Sequence, residues 1–327
     1  NVTTFGMSNL TNASNITGGV IFFNVSVNDS TLTTETVRFS IFNDFRNSTS
    51  FNITAAKNFS NYQATLILST MTDGYYTVTV LANDTVGNRN NSVSNVSFTI
   101  DRTPPNVTTF GMSNLTNASN ITGGVISFNV SINDSTLSTE TVQLSIFNNF
   151  RNSTSFNITA AKNFSGYQAT LILSTMTDGY YTVTVLANDT VGNRNNSVNN
   201  VSFTIDRTPP NVTTFGMSNL TNASNVSGGV IFFNVSINDS TTFAKSASIG
   251  ITSLSNGTQF NVTLARNFSG FHTAVALSTM TDGFYNVMVY ANDSVDNVNN
   301  SVANVSFRLD RTPPNVTSLT LNNFTDF

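Results

Sequence analysis

NVTTFGMSNLTNASN begins at Asn1, again at Asn106 and again at Asn211, and each copy runs on to a DRTPP that starts at Asp101, Asp206 and Asp310. A period of about 105 residues is too long for a solenoid repeat and matches a whole domain per repeat. The expected domains are therefore 1–105, 106–210 and 211–314, and residues 315–327 are the expected first strand of a fourth unit. Asn1 already lies inside repeat sequence, with no signal peptide before it, so an interior or mature stretch of a longer array is expected. Units one and two differ at only eight positions, Val27/Ile132 and Arg38/Gln143 among them. Unit three diverges mainly between Thr241 and Val275, so what survives there is informative.

Composition removes several classes of function. Hydrophobic residues make up 39%, enough for real cores, and charged residues only 9%. A net charge of −4 offers no basic stripe for phosphates, which argues against a nucleic-acid partner. The absence of Cys excludes disulfides, thiolate metal sites and Cys nucleophiles together. The longest apolar run is far short of a membrane span.

Within unit one, alternation between turn signals predicts strands near 2–9, 19–28, 36–43, 50–57, 61–69, 75–83 and 94–100. In FNVSVND, Phe23, Val25 and Val27 share one face, and Asn24, Ser26 and Asn28 the other. Phe22 becomes Ser127 in unit two, as an outward position permits, while Val27 becomes Ile132, as a core position would. Seven strands in about 100 residues predict an all-β Greek-key sandwich, repeated in tandem. Pro-Pro linkers of about five residues favour a restricted, extended rod.

DGYYTVTVLANDTVGN, followed by VSFTIDRTPP, resembles the closing strands of the Ig-like domains strung along bacterial and archaeal surface, filament and adhesin proteins. Asp73-Gly74-x-Tyr76-x-Val78 resembles the tyrosine corner of immunoglobulin-like sandwiches, with Val78 where antibody domains carry a Cys. Unit three keeps Tyr285 there while Tyr75 becomes Phe284, as expected if only the first hydroxyl is needed. The missing Cys pair and Trp fit the prokaryotic type better than antibody domains. The resemblance implies a fold and carries no activity.

Asn-x-Ser/Thr is a weak motif alone, but here it recurs far above chance. The 51 Asn residues would give roughly 15 acceptor sites by chance, and the chain has 38. Unit one has Asn1, Asn9, Asn12, Asn15, Asn24, Asn28, Asn47, Asn52, Asn58, Asn83, Asn90 and Asn95. Unit two has Asn106, Asn114, Asn117, Asn120, Asn129, Asn133, Asn152, Asn157, Asn163, Asn188, Asn195 and Asn200. Unit three has Asn211, Asn219, Asn222, Asn225, Asn234, Asn238, Asn256, Asn261, Asn267, Asn292, Asn299 and Asn304, and Asn315 and Asn323 follow. All twelve motifs persist in unit three although middle residues drift and Thr exchanges with Ser, as in Asn15-Ile-Thr against Asn225-Val-Ser. Asn61, outside any motif, is Gly in both later units. What persists is the acceptor chemistry, which predicts dense N-glycosylation and a compartment outside the cytoplasm.

The recurring acids suggest a second site. Greek-key order brings Asp73 and Asp101 toward Asp134 and Asp189 of the next unit, and Asp178 and Asp206 toward Asp239 and Asp293. Carboxylates meeting so closely repel unless a hard cation such as Ca²⁺ lies between them. The simpler reading gives Asp73 to a T-D-G turn and Asp84 to an Asx turn. Catalysis is not expected. The single His, His272, replaces Gln63 and Gln168 on an outward strand face, and no phosphate loop or zinc spacing is present.

Acceptors are absent between Asn28 and Asn47 and between Asn58 and Asn83. If strands 3, 6 and 7 form one sheet and strands 1, 2, 4 and 5 the other, the first sheet is nearly sugar-free. Phe42, Leu81, Phe284, Met288 and Tyr290 would face out from it as a self-association surface. The expected function is a structural extracellular rod serving as a filament, stalk or cell-envelope component, the alternative being the spacer region of an adhesin.

Overall fold

In the computed structural model, residues 1–30, 34–44, 50–59, 61–90, 95–137, 139–149, 155–164, 166–195, 200–268, 270–300 and 304–320 are described. Among them unit one forms β1 (Val2–Met7), β2 (Ser14–Ile16), β3 (Val20–Val27), β4 (Thr34–Asn43), β5 (Ser50–Thr54), β6 (Ala56–Asn58) and β7 (Asn61–Ile67). After a 3₁₀ turn at Leu68–Thr70 come β8 (Gly74–Asp84), β9 (Arg89–Asn90) and β10 (Val96–Ile100). The same order recurs in units two and three. The small sheet runs β1-β3-β7-β6 and the large sheet β2-β10-β8-β4-β5, with β9 on β8.

The predicted alternation fills the space between the sheets. Ile21, Phe23 and Val25 of β3 meet Val37, Phe39 and Ile41 of β4, with Val78 and Val80 of β8 and Phe98 of β10 in the same core. Each such side chain contributes about 1.5–3 kcal/mol by leaving water. Phe39 becomes Leu144 in unit two, and both are fully buried. The Phe5–Phe39 stack at 5.5 Å therefore belongs to unit one. The tyrosine corner forms in every unit: the Tyr76 hydroxyl donates to the Thr72 carbonyl at 2.8 Å, and Tyr181 and Tyr285 donate likewise to Thr177 and Thr281. Tyr76 also stacks on Phe98 at 5.2 Å. A Cβ at Gly74 would lie 2.8 Å from Oδ1 of the buried Asn43, so any larger residue there would have to displace that amide.

One strand is additional to the expected set and one expected strand is divided between the sheets. After β1, which lies within the expected 2–9, the chain crosses to the large sheet and forms β2, parallel to β10. The switch passes through Ala13 at φ +63°, a left-handed conformation costly for a residue with a Cβ. Asn12 Oδ1 holds it by accepting the Ala13 and Ser97 amides. The same Ala recurs at φ +63° and +65° as Ala118 and Ala223.

The expected strand 50–57 divides at Ala55, which is buried and donates its amide to the Val37 carbonyl. Ser50–Thr54 pairs with β4, and Ala56–Asn58 with β7. Asn52 thus lies opposite Ser40 in the large sheet, not in the sheet of β1, β3 and β7. Residues 315–320 carry no strand; the β3 against which a fourth β1 would pair is not in this sequence.

Candidate junction and glycan-acceptor sites

At the end of each unit, DRTPP is tied back to its own domain. Arg102 donates to Asp73 Oδ1 at 2.8 Å and to the Met71 and Leu68 carbonyls at 3.1 and 2.7 Å, closing the 3₁₀ turn. Asp73 Oδ2 accepts the Arg102 amide and the Thr103 hydroxyl. Unit two repeats this with Arg207 and Asp178, and unit three with Arg311 and Asp282. The linker leaves each sandwich already fixed in direction.

The next unit then grips the linker. Asn193 Nδ2 donates to the Asp101 carbonyl at 3.1 Å and Asn195 Nδ2 to the Pro105 carbonyl at 2.7 Å. Asn297 and Asn299 make the same bonds to Asp206 and Pro210 at the second junction. Asn193 is set by Asp189, whose carboxylate accepts the Val191 and Asn193 amides and the Asn193 side chain. This is the Asx turn expected of Asp84, which makes the equivalent bonds in unit one.

Between these grips Asp101, Asp134 and Asp189 meet with carboxylate oxygens all within 4.8 Å of one another, and Asp206, Asp239 and Asp293 do the same. Asp101 and Asp206 are completely buried. Oδ2 of Asp101, Asp134 and Asp239 has no hydrogen-bond partner among the described residues. Burial, and then the charges of Asp134, Asp189 and Asp73, push the Asp101 carboxyl up to about 6. Burial raises Asp206 as well, with Asp239 and Asp293 adding to it, but the Thr242 hydroxyl donates to its Oδ2 at 2.5 Å and offsets part of the shift. Thr242 stands where unit two has Leu137.

Asp73 and Asp178 are corrections to the expected metal set, because the carboxylates that converge at each junction come from three acids and not four. Both are engaged by the arginine pairs and point back into their own domains. The arginine of DRTPP, present in all three units, was the signal that could have shown this. The remaining three acids, two of them at the first junction with a bare inward oxygen, suit a hard cation with oxygen ligands at about 2.3–2.6 Å.

Of the acceptor asparagines, Asn47, Asn152 and Asn323 lie outside the described residues. Asn24, Asn129 and Asn234 face outward from the small sheet, and Asn28 is exposed just beyond it. Asn15 lies on β2, Asn52 on β5 and Asn83 on β8, all in the large sheet, and Asn95 is exposed just before β10. Several acceptor asparagines bond the backbone: Asn12, Asn117 and Asn222 accept the Ser97, Ser202 and Ser306 amides, Asn195 and Asn299 grip the linker carbonyls, and Asn9, Asn114 and Asn219 bond β3 and its equivalents. Asn9 donates to the Val20 carbonyl at 2.7 Å and accepts the Phe22 amide at 3.1 Å, and Asn114 and Asn219 repeat the pair.

Phe42, Leu81, Met288 and Tyr290 face out from the large sheet half-buried, and Phe284 is 57% exposed beneath the Arg308 guanidinium. That face is not acceptor-free, because the strand division at Ala55 places Asn52 on the same sheet beside Asn83 and Asn15. His272 stands opposite Asn234 on the small sheet, away from both junction clusters.

The bacterial Ig-like domain (group 3) family matches residues 60–147 and 165–271, and the chain belongs to that family. Both matched segments straddle a boundary between sequence repeats. No curated protein matches the chain. Among solved structures, the chain is similar to a tetra-tandem repeat from the extending region of a large adhesion protein, at 19% identity, 94% of this chain, 74% of that one and a TM-score of 0.33. It is also similar to a structure from a 1.5-MDa bacterial ice-binding adhesin, at 13% identity, 89% and 90% coverage and a TM-score of 0.38. Titin domains A168–A170 are similar at 10% identity, 93% and 96% coverage and a TM-score of 0.37.

Proposed function

We propose that this chain is a load-carrying stretch of an extracellular or cell-surface rod, stiffened at each junction by a divalent cation and clothed in N-linked sugar. The observation that carries the reading is the pair of junctions. Each has an arginine-anchored linker, two asparagine grips and three converging carboxylates, which is more than a flexible tether needs. Ca²⁺ fits the all-oxygen donor set and would neutralise the charge that otherwise opposes docking. At the acceptors, Asn Nδ2 attacks C1 of a sugar carried on a lipid phosphate. The carrier phosphate leaves, the nitrogen loses one proton, and a secondary amide with one N–H remains.

Whether such a rod is a filament of its own or the stalk of an adhesin depends on what adjoins it. Family membership in bacterial Ig-like domains suits the stalk, and the uniformity of units one and two favours a polymer. Lateral contact between rods, in this reading, falls on the large-sheet strip containing Phe42, Leu81, Phe284, Met288 and Tyr290, between the sugars on Asn52 and Asn83. Electron microscopy of native material, with intact mass before and after glycan removal, tests the reading. Regular rods much heavier than the 35.2 kDa polypeptide calculated for this segment are expected. A bare polypeptide mass, or a chain of freely jointed beads in calcium, would overturn it.

A further inference from the structure

Phe22 and Phe232 are large exposed rings on the outer face of the small sheet, with Val20 and Ile67, or Val230, exposed on one side and an acceptor asparagine on the other. They lie on the outward side of β3 and its unit-three equivalent, 48% and 49% exposed, Phe22 opposite Thr65 and Phe232 opposite Ala274. An exposed aromatic ring on a strand loses water-solvated surface only if something covers it. Unit two has Ser127 at this place, so the core does not need the ring.

Two residues along the same strand stands an acceptor: Asn24 after Phe22, and Asn234 after Phe232. Residues i and i+2 of a strand share a face, with about 6.5 Å between their Cβ atoms. An N-glycosyl amide puts C1 about 3.8 Å from the asparagine Cβ, as across a trans peptide, and the sugar ring beyond it, within reach of the neighbouring aromatic ring. Nδ2 of Asn24 and of Asn234 donates no hydrogen bond to the described residues, so the amide is free to carry a substituent. Phe22, Asn24, Gln63 and Thr65 line one open groove of about 800 Å³ that also reaches Asn52. Gln63 faces Asn24 and Thr65 faces Phe22 across the ladder, so an amide and a hydroxyl flank the ring in unit one, and His272 and Ala274 take those places in unit three. A pyranose needs this combination: its axial C–H face is apolar and carries slight positive charge, and its hydroxyl edge is polar.

We propose that Phe22 and Phe232 are sugar platforms, each holding the first carbohydrate residue linked to its neighbouring Asn24 or Asn234 flat against the small sheet. The proposal rests on the glycosylation part of the proposed function and specifies what two of those glycans do. Where the ring is present, the glycan becomes part of the folded surface. In unit two the sugar on Asn129 has Ser127 beneath it and swings free.

The test uses the full glycosylated chain and its Phe22→Ser variant, a change that unit two shows the fold accepts. Site-resolved mass spectrometry first reads occupancy at Asn24, Asn129 and Asn234. Proton NMR then compares the first sugar at each site. Ring-current shifts upfield are expected at Asn24 and Asn234 and not at Asn129, and Phe22→Ser should abolish the shift at Asn24 alone. The variant should also lower the melting temperature of the glycosylated chain more than that of the deglycosylated chain. Occupied Asn24 and Asn234 with unshifted sugar protons would overturn the platform and leave the glycosylation reading intact. Bare asparagines throughout would overturn both.

Discussion

Replacing Asp101 by Asn keeps the side-chain shape at the first junction and its acceptor for the Thr103 amide while deleting one of three converging charges. The Asp101 carboxyl is raised from an ordinary 3.8 to about 6, chiefly by burial. A rise of roughly two units at about 1.36 kcal/mol each means that keeping Asp101 ionised at neutral pH costs the cation-free fold up to about 3 kcal/mol. D101N should therefore stabilise the full chain in chelator, raising the melting temperature of the affected transition by several degrees, on the order of 4 °C per kcal/mol. In calcium the order should reverse, because the wild type gains binding energy that the variant has lost. Differential scanning calorimetry in chelator and in millimolar calcium reads both arms. D206N should gain less in chelator, since the Thr242 hydroxyl already relieves Asp206. A D101N chain less stable than wild type in chelator would refute the reasoning, because Asp101 would then be stabilising as a bare carboxylate.

The pH dependence follows with its sign. Between about pH 4 and 6 the cation-free folded state binds more protons at Asp101 than the unfolded state, so stability should fall as pH rises through that window; a rise there, in chelator melts, would contradict it. Tyr76→Phe removes the hydroxyl bond to the Thr72 carbonyl and should cost about 1 kcal/mol by urea denaturation, without changing the core. Glycan mapping should find Asn9, Asn114 and Asn219 bare. Both of their bonds run to one strand and use the amide edge that a trans N-glycosyl substituent would occupy.

The sandwich was legible because its core positions alternate strictly: Phe23 and Val25 against Asn24 and Ser26 left one arrangement that buries the apolar set. The tyrosine corner was legible for the same reason at one remove, since Tyr285 survived where Tyr75 did not. The sheet changes at Ala13 and Ala55 were not. They depend on single residues whose backbone bonds reach across the sandwich, to Ser97 and Val37, and no local pattern announces them. Missing the second change placed Asn52 on the wrong sheet and made the large-sheet face look bare. The approach of Asp101, Asp134 and Asp189 to one another was visible from loop order alone, because Greek-key connectivity dictates which loops meet at a junction. Asp73 went astray because its partner, Arg102, is a long side chain whose reach back to Leu68 cannot be seen in spacing.

Small-angle X-ray scattering of the full chain, recorded in calcium and again after exchange into chelator, tests the stiff, cation-locked rod most directly. With calcium, the account predicts a cross-section and maximum dimension of one extended conformer. Without it, the scattering should broaden toward a mixture of bent forms, and restoring calcium should recover the first profile. Identical profiles in both buffers, or a flexible ensemble in calcium, would contradict the claim that the junction carboxylates govern the rod.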